Sequence, residues 1–197
     1  MRDPSGGGSH TGVATAGSYE SRKQFGRALE NLNKAKAIDK TCISLYEDAE
    51  RIYHEEQGDF GAAYRNLSEA RIVAPEDVGL AADFAEACLT DGRFQEAIDV
   101  VDNLLGSPVP SPNLSVSDRL ALKFVRIAAL SLKGRTEQVD IARREFMTYL
   151  SSIAPFNQTW DYAGTKRFIA AYRMDQDTRD QLLKLLALIE HRNAGGQ

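Results

Sequence analysis

GDFGAAYRNLSEARIVAP, residues 58–75, and GRFQEAIDVVDNLL, residues 92–105, present one pattern twice. Each stretch opens with a glycine turn and continues as an amphipathic helix that is too short to bury its own apolar side. The positions that recur 34 residues apart are Gly58, Phe60, Ala63 and Ala70 in the first stretch and Gly92, Phe94, Ala97 and Leu104 in the second. A fixed period of this length indicates a repeated helical hairpin, since unrelated helices have no reason to share a spacing.

The period extends in both directions along the chain. Upstream, QFGRALENLNKAKAIDK aligns its Phe25 and Ala28 with Phe60 and Ala63, at an offset of 35 residues. Downstream, Gly134 follows Gly92 by 42 residues, and the excess of eight fits the insertion of the proline loop within 107–116. Neither direction shows the alternating β-branched pattern of a strand, so the sequence predicts an all-α chain.

These segments resemble tetratricopeptide repeats. In that family a 34-residue helix-turn-helix unit places small residues where its helices cross, a glycine in the turn, an aromatic residue after it and a proline at its end. Gly58, Phe60, Ala63, Ala70 and Pro75 match this pattern, and the match is strongest over residues 44–106. The resemblance implies a right-handed superhelix of antiparallel helical hairpins, which bury their apolar faces by stacking on one another.

The chain divides into three predicted regions. Residues 1–17 are rich in Gly, Ser and Thr and predict a disordered tail or linker. Residues 18–152 predict about four hairpins, interrupted by the proline loop. Residues 153–197 predict a helical cap, because their last helix is apolar on more than one side and needs cover.

Composition narrows the classes of partner. The net charge of −4 over 197 residues gives no basic patch for nucleic acid, and no apolar run approaches the roughly 20 residues of a membrane helix. Two cysteines are too few for a disulfide framework, so we expect a cytoplasmic protein in a reducing compartment.

The sequence contains no motif for catalysis, cofactor binding or a metal site. His54 lies in YHEEQ, but a zinc-protease helix needs a second histidine four residues later, where the chain has Gly58. Cys88 matches a packed position of the resembled family. The acidic residues between Glu47 and Asp59 are spread around one helix and are typical of its solvated side. We therefore expect a non-enzymatic protein without cofactor or metal.

Surface residues are the remaining candidates for function. In the resembled family the leading helices of the hairpins line a concave groove, which binds a peptide or helical segment of another protein. The residues predicted to line the groove are Glu47, Arg51, His54, Glu55, Glu86 and Leu89. Their mixed to acidic character favours a partner with basic and apolar residues. A possible second interface, with hinge packing of the cap as its alternative, comprises Trp160, Tyr162 and Arg167.

The predicted function is that of an adaptor or scaffold that binds a partner segment in this groove. The alternative is a regulatory or oligomerisation domain of a larger multidomain protein or enzyme, which the Gly/Ser-rich start favours. A homodimer that buries the apolar C-terminal helix remains open in both cases.

Overall fold

The computed structural model describes residues 10–106, 113–154, 156 and 159–194. Within these residues the chain is helical and contains no strand, and one π-helical turn spans Ile52–Gln57. The α-helices in chain order are α1 (His10–Ile38), α2 (Ser44–Arg51), α3 (Phe60–Val73), α4 (Val78–Thr90), α5 (Phe94–Leu105), α6 (Val116–Leu132), α7 (Thr136–Ser152), α8 (Ala163–Ala171) and α9 (Gln176–Ala194).

Three turns with the same chemistry join the helices into hairpins. Gly58, Gly92 and Gly134 have φ values of 67°, 80° and 69°, a left-handed conformation that only glycine adopts without strain. The turns connect α2 and the π-helical turn to α3, α4 to α5, and α6 to α7. Gly134 confirms that the period resumes after the proline loop, of which residues 107–112 lie outside the described residues.

Polar caps fix where several helices begin. Asp59 accepts a hydrogen bond from the backbone N–H of Ala62 at the start of α3, and Asp77 does the same for Leu80 at the start of α4. Ser115 and Asp118 form a reciprocal capping box on α6. These caps define where the helices begin. The spacing of glycine and proline residues alone predicts these positions only to within a few residues.

Each helix from α2 to α7 packs on the next one, and α4 also packs on α6. The core runs through these hairpins and includes the fully buried Leu67, Leu89, Phe124 and Phe146. It continues into α9, where Leu182, Leu186 and Ile189 are buried. The prediction of an all-α fold with consecutive helical hairpins is thus confirmed over the described residues.

Helix α1 packs on α2 and the π-helical turn through a separate small cluster formed by Leu29, Ala49 and Ile52. It begins at His10, so residues 10–17 of the predicted tail belong to the helix, whereas residues 1–9 lie outside the described residues. The two predicted boundaries, at residues 17 and 152, stay predictions.

Candidate functional site

The leading-helix face is the surface formed by the first helix of each hairpin: α2 with the π-helical turn, α4 and α6. A segment from the C-terminal region, Thr159–Tyr172, lies across it and is called the docked segment below. Its helix α8 packs on the π-helical turn and on α4. At its start, the backbone N–H groups of Thr159 and Trp160 donate to the Ser117 hydroxyl of α6, at 3.1 and 2.9 Å. One short segment therefore contacts all three hairpins.

Glu86 on α4 forms the polar centre of this contact. Its side chain is buried, and its two carboxylate oxygens accept hydrogen bonds from the Trp160 indole N–H, at 2.5 Å, and from the Thr165 hydroxyl. Burial raises the pKa of Glu86 to about 8, although the hydrogen bonds from Thr165 and Trp160 act in the opposite direction. Glu86 therefore retains a proton at neutral pH in this arrangement.

His54 forms a second contact, in the π-helical turn. Gly164 lies flat against its imidazole ring, so that a Cβ on Gly164 would stand 2.2 Å from His54 Nδ1. Burial, reinforced by the charge of Arg167, lowers the pKa of His54 to about 4. The π-helical turn adds one residue before Gly58: the N–H of Asp59 reaches back six residues to Tyr53, whereas that of Arg93 reaches back five to Cys88. This extra residue accompanies the burial of His54.

Glu50 and His54 approach each other as a pair, with 3.5 Å between Glu50 Oε1 and His54 Nδ1. Burial, and then the neighbouring Glu86 carboxyl, raises the pKa of Glu50 to about 9. Because the two shifts favour the neutral carboxyl and the neutral imidazole, the contact is not an ion pair at neutral pH. The other ring nitrogen, His54 Nε2, is buried without a hydrogen-bond partner.

Two aromatic contacts connect α8 to the repeat itself. The Phe60 ring meets the Phe168 ring at 5.9 Å, and the Phe94 ring meets the Tyr172 ring at 5.6 Å, both edge to face. Phe60 and Phe94 occupy the same position in successive hairpins, whereas Phe168 and Tyr172 stand four residues apart, about one helical turn. The spacing of these two aromatic residues, one on α8 and one directly after it, thus matches the spacing of the repeat.

The structure distributes the predicted groove residues among different environments. His54 and Glu86 contact the docked segment, whereas Leu89 is completely buried in the core, where an apolar side chain is more stable. Glu47 and Arg51 are exposed on α2. Glu55 is half-buried, and burial followed by the Asp161 charge raises its pKa to about 7.

The predicted second interface lies against the predicted groove residues. Trp160 and Tyr162 belong to the docked segment, with ring centroids 5.2 Å apart, and the Trp160 ring also meets Phe124 of α6 at 5.7 Å. Arg167 is exposed on α8, and its Cδ would stand 2.9 Å from a Cβ on Gly58. The face described by the structure therefore holds a segment of its own chain, which differs from the open groove that we expected.

Sequence reasoning missed three residues of this site: Ser117, Gly164 and Thr165. Ser117 accepts two hydrogen bonds, Thr165 donates one and Gly164 makes one close approach, and none of the three belongs to the repeat pattern. The stretch TWDYAGTKRF gave little indication of these contacts, because the residues that it contacts are 40 to 80 positions away in the sequence.

Other kinds of site find little support in the described part of the chain. There, no cluster of three or more His, Cys, Asp or Glu side chains has the arrangement of a metal site. Cys88 is buried, and burial raises the pKa of its thiol, which disfavours the reactive thiolate. None of the described helices has the length and apolar character needed to cross a membrane.

Comparison with known families agrees with this geometry. The tetratricopeptide repeat family matches residues 54–112, which include two of the three glycine turns. No curated protein and no solved structure matches the chain. Repeats of this family generally mediate protein–protein interactions on a fold that is typically non-catalytic. Residues 54–112 therefore match the tetratricopeptide repeat family.

Proposed function

We propose that this protein is a non-enzymatic adaptor that binds a segment of a partner protein on its leading-helix face. The proposal includes the architecture: the hairpins form a right-handed superhelix, this face is its concave side, and α9 is its cap. One observation carries it: the face holds a short segment of the chain through a hydrogen-bonded carboxyl at Glu86 and through aromatic contacts in register with the repeat. A surface that binds one helical segment this way has the chemistry to bind another.

The charge of the face indicates the kind of partner. Glu47 and Glu55, from α2 and the π-helical turn, and Asp118, from α6, all interact electrostatically with Asp83 on α4. Glu47 and Asp83 are exposed beside the docked segment. Because these carboxylates lie close together, a partner segment with basic residues among its apolar ones is complementary to the face.

Site-specific photo-crosslinking tests the proposal. We would place benzoylphenylalanine at Arg51, which is exposed on the leading helix α2, and at Asp99 as a control, which is exposed on the trailing helix α5. The expected result, after irradiation in native lysate and mass spectrometry, is a discrete protein crosslinked from position 51 and not from position 99. Equal products from both positions, or none from position 51, would overturn the proposed function.

A further inference from the structure

The docked segment is held differently from the helices of the hairpins. Helix α8 has nine residues, has only the Asp161 carboxylate to accept a hydrogen bond from its first N–H, that of Ala163, and is flanked on both sides by non-helical residues. Isolated helices shorter than about 12 to 15 residues are marginal in water, so α8 depends on the leading-helix face for its structure. Its release and its loss of helical order are therefore one event.

In the docked arrangement, several polar groups are also buried in unfavourable surroundings. Glu86 and Glu50 are placed where burial disfavours their charged forms, and His54 Nε2 is buried without a partner. Native cores rarely leave a buried polar atom unsatisfied, because the desolvation of that atom is then uncompensated. A ligand that supplied a hydrogen bond to His54 and a positive charge near the carboxyl groups would replace these contacts with better ones.

Helix α9 can keep its place when α8 leaves. It packs on α6 as well as on α8, and it buries Leu182, Leu186 and Ile189 in the common core. Arg192 near its end donates to the backbone carbonyl of Ile153, at 2.6 Å. Release of α8 exposes Phe168 and Ile169, which it buries in the common core. The ion pair of Lys166 with Glu190, between α8 and α9, is partly exposed and adds little stability. Release is therefore confined to the segment between α7 and α9.

We infer that the docked segment Thr159–Tyr172 is an internal ligand, which keeps the leading-helix face closed until a helical segment of a partner protein with the same chemistry displaces it. The inference rests on the proposed function. The displacing segment has an N–H donor and a hydroxyl for Glu86, and two aromatic residues four positions apart for Phe60 and Phe94. It has glycine where it crosses His54, and flanking basic residues for Glu47 and Asp83. A partner of this kind competes with α8 for the same contacts, so that its apparent affinity is reduced by the fraction of closed molecules.

The test uses the full chain and a fluorescein-labelled peptide of residues 159–173, with binding followed by anisotropy. Gly164→Ala drives a methyl group into the His54 ring and should release the internal segment, while the labelled peptide keeps its glycine. Gly26→Ala is the matched control, because it adds the same methyl group to α1 with no atom within 4 Å. We expect the peptide to bind Gly164→Ala at least tenfold more tightly than it binds the unaltered chain or Gly26→Ala.

A second variant guards against a general loss of folding. Thr165→Val removes the hydroxyl that serves Glu86 but keeps the shape of the side chain, and we expect it to tighten peptide binding severalfold. Hydrogen exchange should show faster exchange confined to α8 and its flanking residues in both variants. Equal peptide binding by all four chains, or unchanged protection of α8 in Gly164→Ala, would overturn the internal ligand.

Crosslinking from position 51 separates this inference from the proposed function. A partner that crosslinks more strongly to Gly164→Ala than to the unaltered chain supports both. A partner that crosslinks equally to both chains overturns the internal ligand and leaves the adaptor function standing. Tight peptide binding by Gly164→Ala without any crosslinked protein supports the internal ligand and overturns the adaptor function.

Discussion

Helices α5 and α8 are both short, and Phe94 of α5 meets the ring of Tyr172, the residue that follows α8, yet the two helices are held in place by different means. Helix α5 lies between α4 and α6 and buries Ala97, Ile98 and Val101 in the continuous core. Helix α8 lies on the surface of the array, with a buried carboxyl and a buried imidazole beneath it. Helix α5 is thus held by apolar burial, whereas α8 combines two buried apolar residues, Phe168 and Ile169, with contacts to a buried carboxyl and a buried imidazole.

The largest expected effect comes from opening the repeat core. Leu67→Ala should lower the free energy of unfolding by about 2 to 5 kcal/mol, because it leaves a cavity at a completely buried position of α3. Ile72→Ala in the same helix is the control, since Ile72 is 82% exposed and its loss should change stability by less than about 0.5 kcal/mol. Urea unfolding followed by circular dichroism measures both, and equal effects would show that α3 does not contribute to the core as described.

A smaller and local effect is expected from Phe168→Ala. Phe168 is buried against the rings of Phe60 and Tyr172, so its truncation removes the main apolar contact of α8. We expect the fluorescence of Trp160, the only tryptophan in the chain, to shift to the red at temperatures where the helical signal of the array is unchanged.

Leu183→Ala on α9, where the side chain is 38% exposed, should leave the Trp160 signal as it is in the unaltered chain. If Phe168→Ala instead lowered the thermal midpoint as much as Leu67→Ala, with both probes changing together, then α8 would be part of the cooperative core and the contrast with α5 would disappear.

The third effect is a pH dependence that belongs to the docked segment alone. Burial raises the pKa of Glu86 from 4.5 to about 8, so the docked form binds a proton that an exposed carboxyl releases. Docking should therefore be strongest at low pH and weaken between pH 4.5 and 8, by at most about 1.4 kcal/mol per pH unit. The carboxyl groups that interact with Glu86 are those of Asp83 from α4, Glu55 from the π-helical turn and Glu50 from α2. The raised pKa values of Glu55 and Glu50 act in the same direction.

The lowered pKa of His54 acts in the opposite direction below its ordinary value of 6.5, because undocking then allows the imidazole to take up a proton. The interval from pH 6.5 to 8 is therefore the one in which the carboxyl groups dominate. Trp160 fluorescence across this interval should report progressive undocking, and Glu86→Gln should flatten the profile. A profile with the same slope in Glu86→Gln would assign the effect to other groups.

The sequence was sufficient for the array because its information is local and repeated. At the first two turns, a glycine and the aromatic and alanine residues after it recur at an interval of 34 residues. One insertion explains the position of the third turn, at Gly134. Sequence reasoning also singled out Glu86, His54, Trp160, Tyr162 and Arg167, but as two separate surfaces. Their juxtaposition depends on single contacts such as Thr165 with Glu86, 79 residues apart, for which no periodic signal exists.

The smallest expected effect compares the two glycine turns that the repeat makes equivalent. Gly92→Ala places a Cβ in open space at a φ of 80°, so only backbone strain of about 1 to 2 kcal/mol opposes it. Gly58→Ala meets the same strain at a φ of 67° and also brings its Cβ to 2.9 Å from Arg167 Cδ. Because Arg167 is exposed and flexible, we expect nearly equal losses of stability in urea unfolding. A modest increase in α8 hydrogen exchange should appear only in Gly58→Ala, and combining it with Arg167→Ala should abolish that increase. If Gly92→Ala also made α8 exchange faster, then the stability of the docked segment would depend on strain anywhere in the array. It would not depend on the local contact between Arg167 and the turn at Gly58.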